Sequence, residues 1–353
     1  MHISVSFRIL GILLMLFSSA AIVPLLVALV EQDHTSSAFA YGMGITFLSG
    51  LVMWFPVRGV RHELRIRDGF LITSLFWTVL GLFGALPFVL NEGLDLTPTE
   101  AVFESISGLT TTGATVIVGL DELPHSILIY RQLLQWLGGI GIIVVAVAVL
   151  PMLGIGGMQL YKAETPGPSK DSKLTPRITQ TAKALFAVYL SLTVACAIAY
   201  YAAGMSGFDA VAHAFSTIAI GGFSTHDASM GYFDNNGILL ICSLFMTISA
   251  INFGLHFLSW RRRSFAVYVR DSETRFFLGV LSVCIIITCG YLIVSHTLDT
   301  SDSIIHGIFQ AISITTTTGF ATQDFAAWPS FLPVMMLFFS FMGGCVGSTG
   351  GGI

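Results

Sequence analysis

The chain has 353 residues, 54% of them hydrophobic and only 10% charged, with a formal net charge of −4. An ordinary soluble domain carries roughly 25% charged residues, so this composition excludes one and predicts an all-α polytopic membrane protein. The net charge itself decides little, because the placement of charge along a membrane protein sets its orientation.

Taken in order, the apolar runs are spaced as membrane spans. Residues 9–30, uncharged and preceded by Arg8, are long enough to cross a bilayer, which takes about 20 apolar residues. A cleaved signal peptide is the alternative, although the run exceeds an ordinary signal core and has no clear A-x-A site. A second span is predicted over residues 36–57, then the basic connection Arg58, Arg61, Arg65 and Arg67, then a third uncharged stretch over 69–90. Residues 103–116 (FESISGLTTTGATV) are too short to span, and a further span covers 126–151. The order returns with a basic linker at 162–183, a span at 184–208, a short segment at 214–225 (AFSTIAIGGFST) and a span at 235–260. It returns again with a basic linker at 261–275, a span at 276–298, a short segment at 308–322 (IFQAISITTTTGFAT) and an apolar run from 325 onward. The predicted organisation is therefore two N-terminal transmembrane helices in 1–57 and pore repeats in 58–161, 162–260 and 261–353, the last incomplete.

The short segments align on Gly113, Gly222 and Gly319. Each lies between two spans, which predicts a re-entrant loop. Non-helical backbone at membrane depth is tolerated only where protein buries it or it lines a watery cavity, because each unpaired peptide group costs several kcal/mol in lipid. A cation supplies the missing partner if the carbonyls turn toward one axis and replace its hydration water. Glycine reaches backbone angles that a side chain forbids and keeps the passage clear. For one copy alone, a Thr/Gly-rich extramembrane loop is an equally good reading; three copies in equivalent positions speak against it. A carbonyl cage is usually closed by four segments, and a fourth would fall roughly a hundred residues beyond Gly319. The expectation is thus a C-terminally truncated piece of a longer transporter.

Fifteen of the sixteen Lys and Arg fall at the N-terminus or in the basic linkers, Arg131 being the exception, whereas most acids fall on the opposite side. The positive-inside rule puts the N-terminus and linkers in the cytoplasm. An acidic outer face concentrates cations at the pore mouths.

The TTTGAT, IAIGGFST and TTTTGFAT segments, the two extra N-terminal spans and the terminal GGCVGSTGGGI together resemble the TrkH/TrkG/KtrB family of potassium-uptake proteins. The resemblance covers nearly the whole chain. It implies repeated M1-P-M2 potassium-channel-like units around a pseudo-fourfold pore, a homodimer in the bacterial inner membrane, and a cytosolic TrkA-type nucleotide-binding ring that carries ATP or NAD. No cofactor is expected on this chain, and no nucleic-acid partner. Carried over by position, the resemblance places the filter at Thr111, Thr112, Gly113, Ile220, Gly221, Gly222, Thr317, Thr318 and Gly319, with K+ at their carbonyls. The alternative for the threonines is that their hydroxyls only cap the pore helix or bind their own backbone. The resemblance also makes residues 343–352 an intramembrane gate, with Gly343, Gly344, Gly347, Ser348, Thr349, Gly350, Gly351 and Gly352; the alternative is a helix end or a small-residue packing face. The basic linkers would present a cationic surface to the ring, although membrane orientation explains them as well. The fourth filter segment and the positive residue of the family's final repeat are absent.

Arg131 lies inside an apolar span and calls for a partner. Glu104 is one candidate, and snorkelling to the outer interface is the alternative. His213 and His306, on the short segments, read as hydrogen-bonded packing residues or as ion sensors. His256 and His296 lack metal-ligand spacing, and the five cysteines, none in a C-x-x-C pair, read as buried packing residues. Ser348 in its glycine-rich run raises an intramembrane hydrolase, but G-S-T-G is not a nucleophile elbow and hydrolysis leaves the pore loops unexplained; no enzyme is expected. The stronger alternative is a sodium-coupled or nonselective monovalent-cation pathway, since the filters lack TVGYG.

Overall fold

The computed structural model describes residues 3–60, 66–148, 178–329 and 331–351. The linker at 162–177, the boundary between the first two repeats, Arg61, Arg65 and Gly352 lie outside the described residues. All regular elements among the described residues are helical. They group into two compact units, one of residues 1–110, 114–118 and 122–186, the other of residues 111–113, 119–121 and 187–353.

In the first unit, α1 (Ile3–Ser18) and α2 (Ile22–Glu31) make one span over Ile3–Glu31, and α3 (Ser36–Trp54) makes the next. Lipid tails are as apolar as leucine, so these helices associate through close packing of small residues. Gly11 and Gly50 meet at the α1–α3 crossing, where a Cβ on either would lie 2.6 Å from the other's carbonyl oxygen. Arg8 is buried on α1 and donates one guanidinium N–H to the Val60 carbonyl at 2.5 Å. Helices α4 (Ile66–Gly84) and α5 (Leu86–Val89) complete the third span, over Leu71–Val89. They are followed by the short α6 (Pro98–Leu109) and by α7 (His125–Ala148), whose helical angles break at Gly141. Phe39, Phe88, Ala101, Tyr130 and Leu134 form one core around α6 and α7.

The second unit takes up most of α8 (Ile178–Ala202) and contains α9 (Gly207–Ala219), α10 (Asn236–Ser249) and α11 (Phe253–Arg262). It continues through α12 (Ala266–Arg270), α13 (Ser272–Val294), α14 (Thr300–Thr315) and α15 (Phe331–Ser340). Spans Lys183–Ala202 and Ser272–Val294 are long and apolar enough to cross a bilayer. Two sequence-based boundaries differ from the structure. The span expected over 184–208 ends at Ala202, because Gly204 turns the chain at φ +109° and Ser206 caps the next helix by accepting the Asp209 N–H. The span expected over 235–260 is two helices bent by 93°. At the bend Asn252 caps α11 by accepting the Gly254 N–H at 2.7 Å, and the C-terminal loop takes up exposed backbone groups there: Cys345 N–H donates to the Ala250 carbonyl and Phe253 N–H to the Gly347 carbonyl. Those loop partners are remote in sequence, so the apolar pattern did not reveal the break. Of the cysteines, four are buried and Cys289 is half-buried; all are free.

Candidate ion-selectivity filter

Three helices too short to span, α6, α9 and α14, lead into the glycine segments. Each starts several residues before the segment picked out by composition, at a sequence-encoded cap. Thr97 and Glu100 form a capping box on α6, Ser206 caps α9, and Asp299 stands at the N-cap of α14. The C-terminal ends, where the helix dipole is negative and favours a cation, run directly into the candidate filter.

The filter backbone follows one pattern in all three copies. Thr111 and Gly113 have φ of +52° and +75°, Ile220 and Gly222 +55° and +81°, Thr317 and Gly319 +66° and +85°; the residue between each pair is not left-handed. Alternating left- and right-handed residues align successive peptide groups, with N–H on one side and C=O on the other. The N–H side faces the pore helices, since Gly221 N–H donates to the Ser216 carbonyl at 2.8 Å and Thr318 N–H to the Ser313 carbonyl at 2.8 Å. The carbonyls are left facing away from the helices. Isoleucine at positive φ is strained by about 1–3 kcal/mol, so Ile220 is held there by its surroundings; it is buried, as is Thr318.

The segments stand side by side in one unit. A Cβ on Gly113 would collide with the Gly221 carbonyl oxygen, and one on Gly222 with the Thr318 carbonyl oxygen, whereas at Gly319 no atom lies within 4 Å. The copies therefore follow one another in chain order about an axis, with Thr112 and Gly319, both exposed, at the two open edges. All nine predicted filter residues fall in these three turns. Hydroxyl bonding to local backbone, the alternative reading for the threonines, occurs at Thr110 and Thr316, just ahead of the turns.

Sequence reasoning missed the serines and Gln310 behind the filter. Six residues before each glycine stands a buried serine: Ser107, Ser216 and Ser313. Ser107 Oγ donates to the Ala114 carbonyl at 2.5 Å, and Ser313 Oγ to the Phe320 carbonyl at 2.6 Å, in each case the carbonyl following the glycine. The common spacing was a readable signal. Nine residues before each glycine stand Glu104, His213 and Gln310, all fully buried. Glu104 accepts from Thr115 Oγ1 at 2.9 Å and from Val116 N–H at 3.1 Å, while Arg131 Nε donates to it at 2.7 Å. Both charges are wholly inaccessible, so Arg131 does not snorkel. His213 joins Ser224 Oγ at 2.9 Å and donates Nδ1–H to the Asp209 carbonyl at 3.0 Å; His306 joins Thr322 Oγ1 at 2.9 Å. Both histidines are hydrogen-bonded, His213 fully buried and His306 half-buried.

In the segment after the second turn, His226 lies between two carboxylates, with Nδ1 2.5 Å from Asp121 and Nε2 3.4 Å from Asp209, and its ring stacks on Tyr232 at 3.4 Å. Burial alone would lower its pKa, but Asp209 and Asp121 outweigh burial and raise it. Asp121 is correspondingly lowered, chiefly by its hydrogen bond to His226.

Residues 341–351 are non-helical, as six glycines in 343–352 led us to expect at roughly 1 kcal/mol each against helix. Thr349 Oγ1 donates to the Ile218 carbonyl at 2.8 Å, at the end of α9, and Val346 N–H to Glu273 at 2.6 Å. Gly350 lies against Ile220, close enough that a Cβ would be 3.4 Å from its side chain. Of the candidate gate residues, Thr349 reaches the pore helix, Ser348 Oγ accepts only from Gly350 of its own loop, and Gly343, Gly344, Gly347 and Gly351 shape the turns.

A family model described as a cation transport protein, TrkH, matches residues 35–353. The Trk system potassium uptake protein TrkH of Halomonas elongata is 56% identical over 353 residues, covering 100% of this chain and 73% of that protein. The protein of the same name in Escherichia coli is 54% identical over 355 residues, with coverages of 100% and 73%. The crystal structure of the potassium transporter TrkH from Vibrio parahaemolyticus is similar at a TM-score of 0.89 and 52% identity, covering 100% of this chain and 72% of that one.

Proposed function

This chain belongs to the TrkH family of cation transport proteins, and from that premise we propose that it takes up potassium ions through the carbonyl-lined turns at Gly113, Gly222 and Gly319. It is a multi-pass membrane transporter and not an enzyme. The observation that carries the filter assignment is the threefold recurrence of left-handed residues at alternate positions, which in the second and third copies goes with N–H groups tied to the pore helix and carbonyls facing away from it. Such oxygens replace the hydration shell of a monovalent cation. The open edge at Gly319 and Thr112 is where a fourth segment, expected from the repeat spacing, would close the cage. The terminal loop is the gate in this reading, since Thr349 and Gly350 meet the end of α9 and Ile220 directly behind the second filter turn. The charge distribution supports a cytoplasmic N-terminus in a bacterial inner membrane. A homodimer and a TrkA-type cytosolic ring that binds ATP or NAD complete the proposal.

Competition among potassium, rubidium and sodium for uptake in cells lacking other potassium importers tests the function. Potassium and rubidium should compete with each other and sodium should not. Equal competition by sodium would replace potassium uptake with a nonselective pathway.

A further inference from the structure

The filter turns hold their shape only if the peptide beyond each glycine is kept off the conduction axis. In the first copy the Ala114 carbonyl, and in the third the Phe320 carbonyl, is bound by the pore-helix serine six residues before the glycine, at 2.5 and 2.6 Å. Both carbonyls are the first after the alternating run, which ends at Gly113 and Gly319. The bond draws that carbonyl back toward the helix, so it terminates the row of oxygens available to an ion. It also closes a short ring between helix and turn that fixes the height of the glycine. Ser216 occupies the same position in the second copy and is fully buried. Buried hydroxyls on apolar helices commonly donate to the carbonyl four residues back; Ser107 and Ser313 instead donate forward, across the turn.

We propose that Ser107, Ser216 and Ser313 are positioning residues that set the outer boundary of the carbonyl cage and thereby its discrimination between potassium and sodium. This rests on the assignment of the turns as the filter. A cage selects by the number and placement of its oxygens. With the serine donor gone, the following peptide is free to rotate and offers an extra, mobile oxygen that suits a smaller or partly hydrated ion.

The test uses Ser107→Ala and Ser313→Ala, each beside the matching Ser→Thr, in the complete transporter in cells, with rubidium and sodium uptake measured on the same preparation. Their ratio is independent of how much protein reaches the membrane. Each alanine variant should lower the rubidium-to-sodium ratio about fivefold, the value of one ordinary hydrogen bond, and threonine, which keeps the donor, should restore it. A packing role alone would reduce both fluxes together and leave the ratio unchanged; that outcome in both alanine variants overturns the proposal. Gly222→Ala run in parallel separates the premises. If it lowers the ratio and the serine variants do not, the turns are the filter and the serines are not its positioning residues. If neither glycine nor serine variants change the ratio, the filter assignment itself fails.

Discussion

The candidate filter turns and the terminal loop are both glycine-rich and both non-helical, yet they are anchored in opposite ways. The filter turns are tied to their own pore helices by bonds that span five to seven residues, from Gly221 to Ser216, Thr318 to Ser313 and Ser107 to Ala114. The terminal loop is tied to elements 73, 100 and 131 residues away, at Glu273, Ser249 and Ile218. Short-range bonds move with their helix and leave a turn no separate freedom. Long-range bonds tie one element to several others and can be released together when any of those elements shifts. Glycine serves overlapping ends in the two places. At Gly113 and Gly222 it makes room for a neighbour's carbonyl at a left-handed angle; in the loop it takes left-handed angles at Gly343 and Gly347 and also discourages helix.

The largest effect that would sharpen this contrast falls on the first filter copy, which has a charged brace. Arg131→Ala leaves Glu104 buried and unpaired, at a cost of about 3–5 kcal/mol. It should abolish the folded protein, read as loss of a monodisperse peak in detergent, whereas His213→Gln, at the neutral counterpart, should remain folded. A well-folded Arg131→Ala protein would show that the brace does not hold the turn. Next in size is removal of residues 347–350, which should raise basal cation flux and weaken dependence on the cytosolic partner, because it deletes the anchors to Ser249 and Ile218 while keeping every filter residue. Unchanged flux and unchanged dependence would leave the loop as packing. Thr349→Val removes the hydroxyl's contacts with the Ile218 and Ser249 carbonyls, a net loss of about 1 kcal/mol, and should raise basal flux by a smaller factor in the same direction. An effect as large as the deletion would concentrate the whole anchor in one residue.

The smallest expected effect concerns pH around His226. His226 has a folded-state pKa above its ordinary value because of Asp209 and Asp121. The stability it lends is fully present below that ordinary value, near 6.5, and is lost as pH rises through the raised value. Hydrogen exchange in 226–232 should therefore quicken as pH climbs through and beyond the ordinary histidine range, after correction for intrinsic rates, and His226→Gln should flatten that dependence. Faster exchange toward acid would reverse the sign and remove the ion-pair explanation.

Much of this architecture was legible because membrane spans declare themselves by length and the repeats by their glycines. Span 36–57 matches the observed Ser36–Val57. The Glu104–Arg131 pair was a candidate because an isolated charge in an apolar helix needs a partner. Left-handed Ile220 and Thr317 were not legible: nothing in a β-branched side chain signals positive φ, and the angle is imposed by neighbours. The bend at Ala250–Asn252 escaped for the same reason, since its backbone groups are satisfied by Cys345 and Gly347, almost a hundred residues on. The pore-helix serines were legible in principle, by their constant offset from the glycine, but small polar residues on a helix attract no notice until the carbonyl they bind is located.

The central claim is that the three glycine turns form one selectivity filter, and the rubidium-to-sodium uptake ratio of Gly113→Ala, Gly222→Ala and Gly319→Ala tests it most directly. Gly113 and Gly222 face a neighbouring carbonyl and all three have positive φ, so each variant should lose most of the discrimination against sodium, with the ratio falling further than in any serine variant. Wild-type ratios in all three would contradict the account.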